Sequence, residues 1–140
     1  MSNTQFVFLE KSKVPSRERW QASIEAAGFD LELNRELKEF EDSGFSPCKL
    51  NGFDSGFEIY YGDAAELLDD FPNLAAFVAT KNYCIMFRWG SDIAEWTCVQ
   101  IASYTLSKDC GAIVSYEGQA PLSSDELRRS VDQFIPKGQG

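Results

Sequence analysis

Between Ser91 and Gly111, the residues Ile93, Trp96, Val99, Ile101, Tyr104 and Leu106 spread over more than half the circumference of a helix. Ser91 and Asp92, with Glu95 three residues after Asp92, supply the start of that helix, and Cys110 with Gly111 its end. A helix so widely apolar has to be covered on most sides, so the remaining residues must form layers around it. Tyr83 to Trp89 (YCIMFRW), closed by Gly90, is the strongest strand candidate and is expected in the middle of a sheet.

The other elements follow from local patterning. Gln5 to Glu10 reads as a first strand. Pro15 and Ser16 open a helix with Trp20, Ile24 and Ala27 on one face, and Gly28 closes it. Phe29, Leu31 and Leu33 alternate with Asp30 and Glu32, the pattern of a strand with one wet, acidic face. Residues 34–45 have poor periodicity and fit a short helix or an ordered loop equally. Cys48 to Asn51 and Gly56 to Tyr61 read as an antiparallel hairpin joined by a turn of several residues. Asp63 and Glu66 have the spacing of a helix N-cap and its third residue, with Leu67, Leu68 and Phe71 as the apolar face before Pro72.

Phe77 to Thr80 is apolar but short. Ala112 to Tyr116 forms a last strand, and Ser123 with Glu126 is a capping box for a final helix with Leu127, Val131 and Phe134 inward. Pro136 should end the structure, leaving 137–140 as a frayed tail. The expected fold is therefore α+β: a single domain over 1–136, with a mixed or mainly antiparallel sheet carrying about four helices. A chain of 140 residues with 44% hydrophobic and 14% aromatic residues has ample material for such a core without a cofactor.

The net charge of −9 is unevenly placed. Residues 25–70 hold thirteen acids against Arg35, Lys38 and Lys49, a net of −10, whereas 1–24 carry +2 and 71–140 carry −1. One acidic lobe is expected, a field that repels nucleic acid and anionic membranes and speeds encounter with basic proteins. No apolar run approaches the roughly 18 residues of a membrane span, and Met1 to Lys13 does not resemble a signal peptide, so a cytoplasmic protein is expected.

The chain contains no histidine. That removes the commonest general base, the partner of Ser and Cys nucleophiles and the commonest metal ligand, and an enzyme is not expected. Carboxylate pairs such as Glu41 with Asp42 or Asp69 with Asp70 could serve glycoside hydrolysis, but adjacent surface acids are more often solvated. Asp63, Glu66, Asp69 and Asp70 lack the loop pattern of a calcium site, and no phosphate-binding glycine motif occurs. The arginines Arg17, Arg19, Arg128 and Arg129 are read as solvated helix faces rather than a nucleic-acid footprint. Trp20, Trp89 and Trp96 are read as core. Cys48, Cys84, Cys98 and Cys110, at spacings of 36, 14 and 12, match neither metal pairs nor a secreted disulfide framework and are read as reduced core or near-core thiols.

What remains is an acidic stretch crowded with the rings Phe45, Phe53, Phe57, Tyr60 and Tyr61, not all of which can face inward. The candidate binding residues are Glu36, Glu39, Glu41, Asp42, Asp54, Glu58, Asp69 and Asp70 for charge, with Phe53 and Tyr61 as anchors. The bland alternative for each is a solvated acid or a packed ring.

The segments GFDLELNRELKEF, GFEIYYGDAAELL and ASYTLSKDCGAIVSYEGQAPLSSDEL resemble, in overall style over residues 25–128, immunity proteins of bacterial polymorphic-toxin and contact-dependent inhibition systems. The resemblance implies a cytosolic, cofactor-free antidote that covers the active site of a cognate, basic toxin. Two alternatives stand beside it: a small-molecule sensor or carrier with a pocket between the sheet and the helix Ile93 to Leu106, and an acidic mimic of nucleic acid.

Overall fold

The computed structural model describes residues 2–78 and 80–133. Among them, six strands form one sheet: β1 (Asn3–Leu9), β2 (Leu31–Glu32), β3 (Ser43–Leu50), β4 (Phe53–Asp63), β5 (Tyr83–Trp89) and β6 (Ile113–Tyr116). Their order is β2-β3-β4-β5-β1-β6, and every pairing is antiparallel. The helices are α1 (Arg17–Ala26), α2 (Ala64–Asp70), α3 (Ala75–Val78), α4 (Ile93–Cys110) and α5 (Ser124–Asp132), with 3-10 turns at Lys11–Lys13 and Pro72–Leu74. The α+β expectation holds, with a sheet that is antiparallel throughout and one short helix, α3, beyond those read from the sequence.

As expected, β5 lies inside the sheet, and its side chains divide by parity. Ile85, Phe87 and Trp89 join the larger core, while Cys84 and Met86 join the smaller one on the other face. The larger core is covered by α1, α4 and α5. In α4 every residue from Thr97 to Leu106 is buried. Trp20 of α1 packs against Phe87 with ring centroids 6.2 Å apart, and its Nε1 donates to Thr105 Oγ1 of α4 at 3.1 Å. The capping box of α5 forms as read, with Ser123 and Glu126 bonding reciprocally, and Leu127 and Val131 point inward. Phe134, Pro136 and the expected frayed tail lie outside the described residues.

Two of the arginines read as solvated are structural. Arg128 places its guanidinium 4.4 Å from the Phe29 ring centre and donates to Ala27 O at 3.0 Å, tying α5 to the end of α1. Arg17 donates to Leu33 O at 2.8 Å and Asn34 O at 3.3 Å, which anchors the loop after β2. These contacts join residues distant in sequence, so helical periodicity alone left the two side chains on the surface.

The acidic stretch differs from expectation in four places. β3 begins at Ser43 rather than Cys48, and the hairpin turn is the two residues Asn51 and Gly52, at φ 53° and 84°. An Asn-Gly pair with both φ positive is the turn that matches strand twist, so β3 and β4 run longer than the glycines of 52–56 suggested. The strand read over residues 29–33 shrinks to Leu31–Glu32 because Gln21 of α1 donates to Leu31 O and accepts from Leu33 N, both at 2.8 Å. That carboxamide occupies groups which a further strand would use, and so blunts the sheet edge. Asp63 stands at the N-cap of α2 but makes no side-chain cap bond, since it is still the last residue of β4, paired with Tyr83.

The smaller core, with Phe6, Phe8 and Cys84 under Ala64, Leu74 and Val78, carries a pH signature. Burial pushes the Cys84 thiol up from 9.0 to about 12, only partly offset by a hydrogen bond with the Val7 backbone. The unfolded chain gives up this proton at a lower pH than the folded one, so the stabilisation is complete below pH 9.0 and is lost as pH rises towards 12. Urea unfolding followed from neutral pH to well above 9.0 should show stability falling less steeply in Cys84→Ala than in the parent protein. Parallel curves would mean that the thiol is not held neutral by the fold.

Candidate functional site

Strand order turns the segregated charge of the sequence into a surface. β2, β3 and β4, the three strands of residues 25–70, are consecutive neighbours at one side of the sheet, flanked by the loop 33–42 and by α2. α4 backs one face of this wing through Cys48, Phe57 and Ile59, which belong to the same core. On the opposite face, β3 presents Phe45, Pro47 and Lys49, and β4 presents Asp54, Gly56, Glu58 and Tyr60, in alternation with the core-facing residues.

Phe45 is the ring that sequence reasoning left unresolved and the structure brings forward. It is 64% exposed, and its Cζ lies only 2.4 Å from where a Cβ on Gly56 would sit. Register puts Phe45 opposite Glu58 and Pro47 opposite Gly56, so the ring reaches diagonally across the ladder onto a residue with no side chain. Gly56 is therefore a bed for the ring. An exposed aromatic fixed in this way loses little further freedom on binding. Phe53, at 77% exposure, stands at the hairpin end of β4 as a second ring on the wing.

The proposed acids fall into separate groups. Glu36 and Asp54 meet in a groove of about 610 Å³ along the β2–β3 edge, with Glu32, Pro47, Lys49 and Cys48. Asp54 also lies 3.9 Å from Lys49, and both side chains are exposed, so this pair contributes little to stability. Glu41 is exposed in the turn before β3, whereas Glu39 and Asp42 are half-buried. Glu58 accepts a hydrogen bond from Tyr60 Oη at 2.5 Å and is the register partner of Arg88, which turns it towards its own sheet. Asp69 and Asp70 end α2, where the helix dipole disfavours negative charge, so they have no role in stabilising that helix.

Tyr61 is not an exposed anchor. It packs against the larger core, its ring centre 6.2 Å from that of Phe40, and its buried hydroxyl has no hydrogen-bond partner among the described residues. Burial, followed by the negative charges of Asp42 and Glu39, pushes its phenol well above the usual range. Glu39 and Asp42 thus bear on a residue packed against the core, and among the acids between Leu31 and Tyr61 the exposed ones are Glu36, Glu41 and Asp54.

A second concave feature lies on the helical side, across β5, β1 and β6. A cleft of about 430 Å³ is lined by Trp89, Trp96, Tyr116, Asn3, Ile93 and Gln100 among others. Its walls are braced by Tyr116 Oη donating to Asn3 Oδ1 at 2.7 Å and Asn3 Nδ2 donating to Gly90 O at 2.9 Å. At its floor, Gln100 exchanges long hydrogen bonds of 3.4 Å with Gln5, whose shorter bond, 2.8 Å, goes to Ser103.

Among the described residues no group of three or more Cys, Asp or Glu side chains is placed to hold a metal ion. No described helix is long and apolar enough to cross a membrane. No protein-family model, curated protein or solved structure matches the chain, so the reading of the wing rests on its own geometry.

The bed formed by Gly56 can be seen directly in solution. One Gly56 α-proton points towards the Phe45 ring and should be shifted upfield by its ring current. Phe45→Ala should abolish that shift while changing folding stability by less than about 1 kcal/mol, because the ring is mostly exposed. An unshifted Gly56 signal in the parent protein would remove the preorganised ring from the wing.

Proposed function

We propose that this protein is an antidote of the immunity-protein type, which binds a cognate, basic bacterial toxin in the cytoplasm and neutralises it by covering its active site. One observation carries this reading: eight acids and only three bases of residues 30–58 lie on β2, β3, β4 and their connections, which form one contiguous wing, with Phe45 exposed on its open face and Phe53 exposed at its hairpin end. Charge of one sign raises the encounter rate with a basic surface, while an exposed aromatic side chain held in place, Phe45, supplies contact energy once water is excluded. A standard interface buries about 800 Å² on each partner, roughly a tenth of the 7564 Å² surface of this chain, which a wing of three strands can provide. The absence of histidine agrees with a protein whose role is to bind rather than to catalyse.

The braced cleft beside α4 favours a second reading, a small-molecule sensor or carrier. Its aromatic walls and carboxamide floor, lined also by Asp92 and by no Lys or Arg, suit an uncharged or cationic ring bearing hydrogen-bonding groups. The two readings use opposite sides of the sheet and separate cleanly by experiment.

The test is co-purification of the tagged protein with the product of the adjacent gene, followed by a salt titration and an assay of that product's toxicity. A basic partner held in fixed stoichiometry, inactive while bound, is the expected outcome. Replacing Glu36, Glu41 and Asp54 together by Lys should slow association about tenfold or more at low salt and much less at high salt. The same variant should keep its unfolding midpoint, because all three side chains are exposed. A partner whose association ignores both salt and charge reversal would overturn the wing as the interface. A protein that binds no partner but whose Trp89 and Trp96 fluorescence responds to small ligands would establish the second reading instead.

A further inference from the structure

Cys48 and Cys98 are 50 residues apart in sequence, yet their sulfurs lie 3.4 Å from each other between β3 and α4. Both are free thiols. A disulfide needs sulfurs about 2.05 Å apart, so closing this pair calls for a shift of little more than an ångström. The two differ in access. Cys98 is fully buried, whereas Cys48, at 5% exposure, lines the groove of about 610 Å³ that opens along the β2–β3 edge. Reagents therefore meet Cys48 first.

The two sulfurs already share a proton. The Cys48 S–H donates to the Cys98 sulfur, which pushes the Cys48 thiol up and holds the Cys98 thiol down. Burial and the Glu95 and Asp92 carboxylates oppose negative charge on Cys98. Cys48 becomes a nucleophile only when it gives up the shared proton, to the Cys98 sulfur it faces or to solvent, and the thiolate then formed lies at the groove.

We propose that Cys48 and Cys98 form a redox modification site, which closes to an intramolecular disulfide by exchange with a small, uncharged or cationic disulfide entering the β2–β3 groove. The Cys48 thiolate attacks one sulfur of the reagent, breaking its S–S bond and releasing one small thiol, which takes up a proton. Cys98, having lost its own proton to solvent, then attacks the Cys48 sulfur, breaks the mixed disulfide and releases the second small thiol. Two electrons pass from the protein sulfurs to the reagent. The groove selects against an anionic reagent, since Glu32, Glu36 and Asp54 line it against Arg35 and Lys49. The product would tie the acidic wing to the central helix whatever partner the wing binds.

The test is to treat the native protein with cystamine, quench with acid, alkylate and measure the intact mass and peptide map. The expected product is lighter by two hydrogens, with Cys48 joined to Cys98 and with Cys84 and Cys110 alkylated only after unfolding or at their native rates. Oxidised glutathione, which is anionic, should react more slowly than cystamine under the same conditions. Cys98→Ser should stop at a cystamine adduct on Cys48, and the parent protein alone suffices if that variant does not fold. A persistent adduct on Cys48 in the parent, a cross-link through Cys84 or Cys110, or no reaction until the protein is unfolded would each overturn the assignment.

Discussion

Ten consecutive residues of α4, from Thr97 to Leu106, are buried, and a helix reaches that state only when it is enclosed by a sheet and by other helices at once. The remainder of the fold can be understood as that enclosure. β1, β4 and β5 provide the floor through Val7, Ile59, Ile85 and Phe87, while α1 and α5 close the sides with Trp20, Ile24, Leu127 and Val131. A helix so enclosed takes its polar groups into the core as well. Thr105 meets this cost by donating to Ala102 O and accepting from the Trp20 indole, and Gln100 does so through Gln5. These buried polar contacts give α4 one seating among the many that apolar packing alone would tolerate.

Enclosure on one face of the sheet leaves an imbalance on the other. There the short α2, the turn at Pro72–Leu74 and α3 cover Phe6, Phe8 and Cys84, at the β1–β5 centre of the sheet. The outward side of β3 and β4 carries Phe45, Lys49, Asp54, Glu58 and Tyr60 instead of an apolar layer. An antiparallel sheet can present one face to water in this manner, and the alternation of these two strands matches it. The same wing holds the groove, the charge and the thiol pair, because it is the part of the sheet that has one helical backing and one open side.

The legible parts of the site were those encoded locally. The acids of 25–70 could be counted, and the crowding of five rings announced that some would face out. Which ones did so depends on register: Tyr60 and Tyr61 are adjacent, and pairing with Met86 and Ile85 sends the first outward and the second into the core. Phe45 was equally undecidable, since its exposure follows from lying diagonally across the ladder from Gly56. The Asn51–Gly52 turn, by contrast, is encoded in its dipeptide, although Gly56 four residues on offers a competing turn signal. Arg17 and Arg128 were read as solvent-facing because nothing within one helical turn discloses a carbonyl supplied by another element.

The sequence by itself determined most of the elements, the N-caps of α1, α4 and α5, the burial of α4, the concentration of negative charge in one third of the chain and the exclusion of histidine chemistry. Each of these depends on composition or on periods of two to four residues, so no distant contact is needed to establish it. Tertiary structure alone decided that β2, β3 and β4 stand side by side, that Phe45 rather than Tyr61 is presented, and that Cys48 meets Cys98. Those outcomes require strand order and register, which are set by the competition of every apolar surface in the chain for places around α4, and a local pattern carries no information about who wins it.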